Sequence, residues 1–330
     1  MRIRVLGAGF YGCNIALSLV NDDHFVEIHE VKDRIFGGAS GNIPARLHLG
    51  ASHYPRSYAT RQACKEHNVE FMERYGFLTR NVPMNIYAIA KDHSLVDFEA
   101  YRQALASDGH EFLTVHDPEE LGLRNVEGAV MVGERHVICD KARSFFTTAL
   151  HENIRYLTGP DDASADDYDF TIDCTFCAHD AINIDRFEPC LVVLLKGQTD
   201  KAVTIMDGPF GSLYPWDERF GLSSLSSAKW TPFSKACKTY QEAQAVLDGL
   251  SRDELELQGA CMLDSMREFY PAIDNYKVHD YRTSIRAMPL SGSDTRLCDV
   301  IKTGPNTIRV RAGKIDAVIQ AEKAIKALMA

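Results

Sequence analysis

The stretch that decides the fold is residues 1–12, MRIRVLGAGFYG, at the start of the chain. Its apolar residues predict a short strand, and a helix with apolar residues at helical spacing is predicted from Phe10 onward. The G-x-G-x-x-G pattern stands between the two. In that context Gly7 allows the tight turn, Gly9 lets a pyrophosphate approach the backbone, and Gly12 lets helix and strand pack closely. The sequence therefore predicts a dinucleotide-binding Rossmann unit.

A carboxylate stands at the end of the second predicted strand, residues 25–30. Glu30 follows Gly7 by 23 positions, and an acid at this place accepts hydrogen bonds from the adenosine ribose. Glutamate there argues against the 2′-phosphate of NADP. Phe10 and Tyr11 open the helix whose positive end receives the diphosphate, so they are predicted cofactor contacts.

The residues after Glu30 separate FAD from NAD. Arg34 and the segment GGASGN at residues 37–42 follow at once, where an NAD dehydrogenase usually begins its next helix. Glycines and small polar residues offer backbone N–H groups and a close approach to a bulky cofactor, although a surface loop has the same composition. The predicted FAD contacts in this part of the chain are Arg34, Gly38, Ala39, Ser40, Asn42 and Arg46.

Composition limits the classes of protein. The chain has 330 residues, 45% of them hydrophobic, which suggests two domains. A net charge of -10 without a basic stripe argues against a nucleic-acid partner. We find no run of roughly 20 apolar residues that would cross a bilayer, and no signal peptide at the N-terminus. Nine dispersed cysteines indicate reduced thiols. We therefore expect a cytoplasmic protein.

The order of predicted elements indicates an α/β fold. Strand–helix–strand patterns dominate both ends of the chain, and a β-rich region fills the middle. The predicted helices include residues 140–152, capped by Asp140, most of residues 231–249, and residues 315–328. We predict a discontinuous cofactor domain (residues 1–80, 137–185 and 285–330) and an inserted mixed β-sheet substrate domain (residues 81–136 and 186–284).

At this point the chain resembles the D-amino-acid oxidase-like superfamily of FAD enzymes, which includes glycine and sarcosine oxidases. The resemblance implies a Rossmann-like FAD-binding domain of the GR2 type. Thr175 ends a strand similar to the family's strand beside the cofactor, although Phe176 stands where glycine is usual. Gly313, Lys314 and Ile315 resemble the closing turn and helix start that point at the flavin pyrimidine ring, where a helix dipole stabilises negative charge. The alternative is an ordinary packing helix.

Some relatives attach their flavin covalently through a histidine. Asn42 stands near that position here, so we predict non-covalent FAD.

Four further positions carry candidate chemistry. The segments RLHLG (46–50) and HYPR (53–56) follow the glycine stretch, so Arg46, His48 and their neighbours are expected near the flavin ring, to bind an anionic substrate or tune the flavin. Tyr214 could cover the substrate, and Arg286 could grip its carboxylate. Ordinary hydrogen bonding for His48, core packing for Tyr214 and an ion pair for Arg286 stay open. The predicted catalytic set is His48, Tyr214 and Arg286.

Cys174 and Cys177 form a C-x-x-C pair. No second pair at zinc spacing exists, so we predict no metal site. A redox dithiol and a buried strand end both remain as interpretations, and the second is simpler.

These observations favour an FAD-dependent oxidoreductase that oxidises a C–N bond of an amine or amino acid by hydride transfer to flavin N5. Its partner would be a small-molecule substrate, and the electron acceptor and the oligomeric state stay open. The alternatives are a 2-hydroxy-acid dehydrogenase on the same scaffold, a non-oxidising flavoenzyme resembling UDP-galactopyranose mutase, and a dinucleotide-binding regulatory protein.

Overall fold

A computed structural model of the chain describes residues 1–51, 58–157, 167–179, 183–233, 236–290 and 298–330. Its strands are β1 (Arg2–Leu6), β2 (Phe25–Glu30), β3 (Arg46–Leu47), β4 (Thr79–Asn81), β5 (Met84–Ala90), β6 (Phe112–Val115), β7 (Val126–Val132), β8 (Arg135–Val137), β9 (Ile154–Tyr156), β10 (Phe170–Asp173), β11 (Ile184–Lys196), β12 (Lys201–Met206), β13 (Gly211–Asp217), β14 (Leu222–Ser227), β15 (Lys277–Pro289), β16 (Asp299–Gly304) and β17 (Thr307–Arg311). Its α-helices are α1 (Phe10–Asn21), α2 (Ala39–Asn42), α3 (Tyr58–Tyr75), α4 (Phe98–Ser107), α5 (Cys139–Ala149), α6 (Tyr240–Asp248), α7 (Arg252–Arg267) and α8 (Val318–Met329).

One sheet is a Rossmann-like sheet with the order β16-β17-β10-β1-β2-β9. Strands β17, β10, β1, β2 and β9 run parallel, and β16 lies antiparallel to β17 at the edge. Strands from both ends of the chain therefore share one sheet, as the predicted fold class requires. Strands β10 and β1 are neighbours in the middle of this sheet. A doubly wound sheet binds its ligand at this place, outside the carboxyl ends of its strands. The domain boundaries named above stay a prediction.

The helices on this sheet share one apolar core. Phe10, at the start of α1, stacks on Phe36 with ring centres 5.6 Å apart and meets the edges of Tyr75 and Phe146. These rings come from the first helix, the glycine segment, α3 and α5. The first turn of α1 is thus held by packing on several sides, which fixes the amide groups that the cofactor site uses.

A buried polar network joins α1, α3 and α8. The Asn14 side-chain amide donates to the carbonyl of Val318 at 3.2 Å and to the Glu322 carboxylate at 3.1 Å. Ser18 donates to the same carboxylate at 2.7 Å, and the Tyr75 hydroxyl donates to Asn14 at 2.7 Å. Buried polar groups that are fully paired specify one arrangement of their helices. The network therefore sets the C-terminal helix against the first one.

The second sheet has the order β15-β11-β14-β13-β12-β5-β7-β6. Its neighbouring strands are antiparallel except β12 and β5, which run parallel. Helix α7 buries Met262 and Met266 against it, and Tyr101 of α4 belongs to a separate apolar cluster beside β5 and β7. This is the mixed β-sheet that the sequence predicted for the middle of the chain.

A small sheet, β3-β8-β4, connects the two large ones. Arg46 of β3 pairs with His136 of β8, and Thr79 of β4 pairs with Val137. Strand β3 also contacts the 3-10 turn Ile315–Ala317 at the start of the C-terminal helix. The segment that follows the glycine stretch is thereby placed between the two large sheets.

The helix predicted at residues 140–152 starts and ends earlier. It spans α5, and Ile138 occupies the N-cap without a side-chain hydrogen bond. Asp140 lies in the first turn and pairs with Arg143 three residues on. An acid in the first helical turn is favourable through the helix dipole, which explains why the sequence placed the cap two residues late.

The helical prediction for residues 231–249 was wrong in its first half. Among the described residues of that range only α6 is helical, and the Leu191 N–H donates to the Thr231 carbonyl at 2.7 Å while the Phe233 N–H donates to the Pro189 carbonyl at 2.9 Å. Thr231 and Phe233 therefore pair with the backbone of β11. Pairing with a distant strand overrides local helical spacing.

Among the helices in the described parts of the chain, none has the length and apolar content needed to cross a membrane. The same residues contain no group of His, Cys, Asp and Glu side chains that could hold a metal ion.

Candidate active site

The glycine turn has the geometry that the sequence predicted. Gly7 has φ of +90°, and a Cβ added there would stand 3.1 Å from the carbonyl oxygen of Cys174. A Cβ on Gly12 would stand only 2.0 Å from the carbonyl oxygen of Gly7. Glycine is thus needed at position 7 because φ is positive there and because the end of β10 lies too close for a side chain. Glycine is needed at position 12 because the helix and the turn are in close contact.

The N-terminus of α1 is open to an anion. Its N-cap is Gly9, which has no side chain to cap it, and no acidic residue lies in its first turn. The Phe10 N–H donates to the Ser40 hydroxyl at 3.0 Å. Free amide groups and the helix dipole at such an end suit a diphosphate, and the Ser40 hydroxyl stands beside them.

Glu30 is buried, and its carboxylate is oriented by the backbone. One oxygen accepts the Ala8 N–H at 2.7 Å, and the other accepts the Lys32 N–H at 2.8 Å. Each carboxylate oxygen has two acceptor sites, so both retain capacity for a ribose hydroxyl. The arrangement fits the adenosine end of a dinucleotide.

The Gly-Gly segment forms a cradle beside this turn. A Cβ on Gly38 would meet no atom within 4 Å, whereas a Cβ on Gly41 would stand 2.1 Å from the Phe36 carbonyl oxygen. The Phe36 N–H donates to the Ala8 carbonyl at 2.9 Å and ties the segment to the glycine turn. Gly38 therefore borders open space next to the helix terminus, as a bulky cofactor requires.

The other predicted contacts of this segment lie on or near it. Ala39 begins α2, and the Asn42 side-chain amide donates to the Gly37 carbonyl at 3.1 Å. Arg34 is exposed. Non-covalent attachment of FAD stays a prediction.

The end of β10 lies beside the glycine turn, and a left-handed bend follows it in the chain. The Thr175 N–H and hydroxyl both bond to Asp173, at 2.9 and 2.6 Å. Phe176 and Cys177 then have φ of +60° and +63°. The family resemblance expects glycine at Phe176, and glycine adopts a positive φ without strain. The backbone has the same left-handed conformation here, although the residue is phenylalanine.

The two cysteines of the C-x-x-C pair lie in apolar surroundings. Burial raises the pKa of Cys174 well above its usual value, and Cys177 belongs to an apolar cluster on the second sheet. Burial disfavours the thiolate that redox exchange needs. The structure thus favours the interpretation as a buried strand end.

Tyr11 joins the first helix to the C-terminal turn. Its hydroxyl donates to the Lys314 carbonyl at 2.5 Å and accepts the Gly313 N–H at 3.2 Å. The 3-10 turn that includes Ile315 begins directly after Lys314, and no side chain caps it. One tyrosine therefore holds the two chain ends together at the predicted site, with Gly313, Lys314 and Ile315 beside α1.

Arg46 follows the glycine segment in the chain, and its side chain reaches the second sheet. Its guanidinium donates to Thr204 at 3.2 Å and to Ser212 at 2.6 Å, and its central carbon lies 4.0 Å from the centre of the Tyr214 ring. A planar cation on an aromatic face is held in place by both stacking and hydrogen bonds. Tyr214 is fully buried, which favours the packing role that the sequence left open.

His48 faces a buried acid, Glu134, with Nδ1 3.7 Å from its carboxylate oxygen. Burial and the positive charges of Lys314 and Arg46 lower the pKa of His48 to about 4, so the imidazole is neutral at neutral pH. Burial alone would raise the pKa of Glu134, but the nearby His48 ring and the hydrogen bonds from the Tyr87 hydroxyl and the Leu49 N–H lower it. Sequence reasoning missed Glu134, whose only local signal is a charge directly after an apolar strand.

A second buried acid lies near Glu134. Asp316 is 1% exposed, and neither carboxylate oxygen has a hydrogen-bond partner in the described structure. Burial, opposed by the charge of Lys314 and assisted by the charge of Glu134, raises the pKa of Asp316 to about 6.

Arg286 is engaged on β15 by an acid of the neighbouring strand. Its guanidinium donates to Glu188, which Arg186 also contacts at 2.9 Å. This is the ion pair that the sequence left open, although 38% of the Arg286 side chain remains exposed. His53, Tyr54, Pro55 and Arg56 lie outside the described residues.

Comparisons with known proteins agree with this geometry. No protein-family model matches the chain. The FAD-dependent monooxygenase FPY4 of Fusarium mangiferae is 32% identical over 337 aligned positions, which cover 98% of this chain and 90% of that protein. The FAD-dependent monooxygenase kojA of Aspergillus flavus is 26% identical, covering 100% of this chain and 86% of that protein.

Solved structures show the same fold at low identity. Glycine oxidase from Geobacillus kaustophilus superposes with a TM-score of 0.72 at 14% identity, covering 99% of this chain and 94% of that one. L-α-glycerophosphate oxidase from Mycoplasma pneumoniae, solved with FAD bound, superposes with a TM-score of 0.71 at 12% identity and the same coverage. The match to FPY4 over nearly the whole chain shows that this chain belongs to the same family of FAD-dependent oxidoreductases as that protein, and the solved structures show that it has the fold of glycine oxidase.

Proposed function

We propose that this flavoprotein oxidises a C–N bond of a small amine or amino acid that carries a negative charge. Bound FAD would supply the hydride acceptor, flavin N5. The observation that carries the proposal is the pairing of a fixed cation, Arg46, with a neutral imidazole, His48, directly after the segment that cradles the cofactor.

Arg46 suits a substrate carboxylate. Its bonds to the Thr204 and Ser212 hydroxyls use two of its five N–H donors and leave the others for an anion. A guanidinium that is already oriented loses little entropy when it binds a carboxylate. Several solved neighbours, among them glycine oxidase and an iminodiacetate oxidase, are named for substrates that combine an amine with a carboxylate.

His48 suits the amine. A neutral imidazole accepts a hydrogen bond from an amine N–H, and it adds no positive charge that would repel the nitrogen as it becomes an iminium. The protein's contribution is then to bind, orient and desolvate the substrate, because the cofactor supplies the redox chemistry.

One observation favours a second candidate, a 2-hydroxy acid. An alcohol must lose its O–H proton when its hydride leaves, so it needs a base that a neutral amine does not need. The contact between His48 and the Glu134 carboxylate is the arrangement that supports such a base.

Anaerobic mixing with matched panels separates these candidates. Amino acids and the 2-hydroxy acids with the same carbon skeletons are added to the FAD-loaded protein, and bleaching of the visible flavin band is followed. Bleaching by amino acids, and its loss in Arg46→Met, supports the proposal. Bleaching only by hydroxy acids supports the second candidate.

Oxygen transfer needs its own measurement, since the fungal relatives are named monooxygenases. Turnover under ¹⁸O₂ followed by mass spectrometry of the product detects an inserted oxygen atom. Label in the organic product, with no bleaching by either panel under anaerobic conditions, would reject hydride transfer from the substrate.

A further inference from the structure

Glu134 is the buried acid next to the candidate substrate site. It lies in the short connection between β7 and β8, and its side chain is 0% exposed. The His48 side chain beside it is 15% exposed. The mostly buried imidazole therefore has a fully enclosed carboxylate on its Nδ1 side.

Three neutral donors fix the Glu134 carboxylate. One oxygen accepts the Tyr87 hydroxyl at 2.6 Å and the Asn85 side-chain amide at 3.1 Å, and the other accepts the Leu49 N–H at 3.1 Å. Donors directed at a carboxylate stabilise its ionised form. The Leu49 contact also joins Glu134 to the backbone next to His48, so the acid and the imidazole cannot move independently.

We propose that Glu134 is a positioning residue, which holds His48 with Nδ1 protonated, so that Nε2 carries the lone pair that accepts a hydrogen bond from the substrate. The inference rests on the proposed function. A carboxylate that faces one ring nitrogen favours the tautomer with hydrogen on that nitrogen and orients the ring. The 3.7 Å separation is longer than a hydrogen bond, and such contacts tighten when a site is filled.

The other charged groups around the pair act on His48 in known directions. Arg46, from the same strand, and Lys314, from the C-terminal turn, disfavour a proton on the ring. Asp316 and His110 lie close enough to Glu134 to interact with its charge. Glu134 opposes these two cations, because it raises the pKa of His48.

The test reads the His48 ring directly in the FAD-loaded protein. The protein is labelled with ¹⁵N-histidine, and His48→Gln assigns the signals. We expect an Nδ1–H tautomer in the wild type, a lower His48 pKa in Glu134→Gln, and loss of that tautomer in Glu134→Met, which keeps the volume but removes the acceptor. Wild-type tautomer and pKa in both variants would overturn the inference.

Kinetics separate the inference from the proposed function. The rate of flavin reduction by the substrate should fall roughly tenfold in Glu134→Gln, because a wrongly oriented ring loses one hydrogen bond from the substrate, and recover in part in Glu134→Asp. Glu120→Gln, an exposed control, should change neither readout. Unchanged reduction in His48→Gln would reject the role of His48 in the proposed function, while the tautomer data would still decide whether Glu134 orients the ring.

Discussion

Replacing Gly12 by alanine should push the first helix away from the glycine turn. The new Cβ would lie 2.0 Å from the Gly7 carbonyl oxygen, and real Cβ atoms essentially never come within 3.0 Å of another atom, so a shift of at least 1.0 Å (3.0 minus 2.0) is required. The Gly7 carbonyl is part of the backbone, and the Cβ is attached directly to the backbone of residue 12. No flexible side chain can give way, so α1 or the glycine turn must move.

Overpacking a well-packed contact costs roughly 1–3 kcal/mol, and a backbone clash belongs at the upper end, about 3 kcal/mol. At roughly 2–4 °C per kcal/mol, the melting temperature of the apoprotein should fall by about 6–12 °C. FAD affinity should fall about 10- to 100-fold, because displacement of the turn weakens charge-assisted hydrogen bonds worth roughly 1.5–3 kcal/mol each. Calorimetry of the apoprotein and fluorescence titration with FAD measure the two effects.

Gly38→Ala is the matched control, because its Cβ would meet no atom within 4 Å. Its apoprotein should be as stable as the wild type within about 0.5 kcal/mol, while its FAD affinity falls because the methyl group enters the cradle. Equal stability of Gly12→Ala and the wild type would refute the reading of Gly12 as a close-packing glycine. Unchanged FAD affinity in Gly38→Ala would refute the placement of the cradle.

Four further outcomes are expected. Glu30→Gln should weaken FAD binding about tenfold or more in the same titration, because its amide cannot accept both backbone N–H groups and a ribose hydroxyl; binding as in the wild type would contradict the site. Glu322→Gln should cost about 1–3 kcal/mol in urea unfolding at neutral pH. Because hydrogen bonds and Arg74 lower the Glu322 pKa, that difference is present above the unfolded pKa of about 4.3 and should vanish as the pH falls through the folded value. His48 is buried neutral with a pKa of about 4, so the wild type should lose stability relative to His48→Gln as the pH falls from about 6.5 to 4, by up to about 3 kcal/mol; parallel curves would contradict its burial. Phe176→Gly should be more stable than Phe176→Ala by about 1 kcal/mol, since only glycine relieves the left-handed backbone, and the reverse order would show that φ is not positive there.

The cofactor turn could be predicted from the sequence because its determinants are local. Gly7, Gly12 and Glu30 act through one strand–helix–strand unit, and the spacing of that unit is fixed by its own geometry. The family resemblance added Gly313 at the other chain end. What no local pattern shows is the hydrogen bond from the Gly313 N–H to the Tyr11 hydroxyl, since it depends on how two distant segments pack.

The substrate side was predicted less well for the same physical reason. Arg46 and His48 were found because they follow the glycine segment in sequence. Their partners come from distant parts of the chain: Tyr214 of β13 lies under the guanidinium, and Glu134, between β7 and β8, lies beside the imidazole. A long-range pairing such as Arg286 with Glu188 likewise needs two neighbouring strands in register, and the apolar periodicity of one strand does not identify which distant strand lies beside it.

The charge of the candidate site follows from how its two buried acids are hydrogen-bonded. Glu134 has three neutral donors in addition to His48 and is held as the anion, while Asp316 has no partner in the described structure and its pKa is raised to about 6. Proteins assign different roles to the same functional group through environments that separate the pKa values of two acids in this way. Near neutral pH the negative charges of both acids therefore balance the positive charges of Arg46 and Lys314, and His48 adds none. Arg46 itself donates to the Thr204 and Ser212 hydroxyls rather than to either acid, so the proposed substrate carboxylate would meet its remaining N–H donors without displacing a carboxylate of the protein.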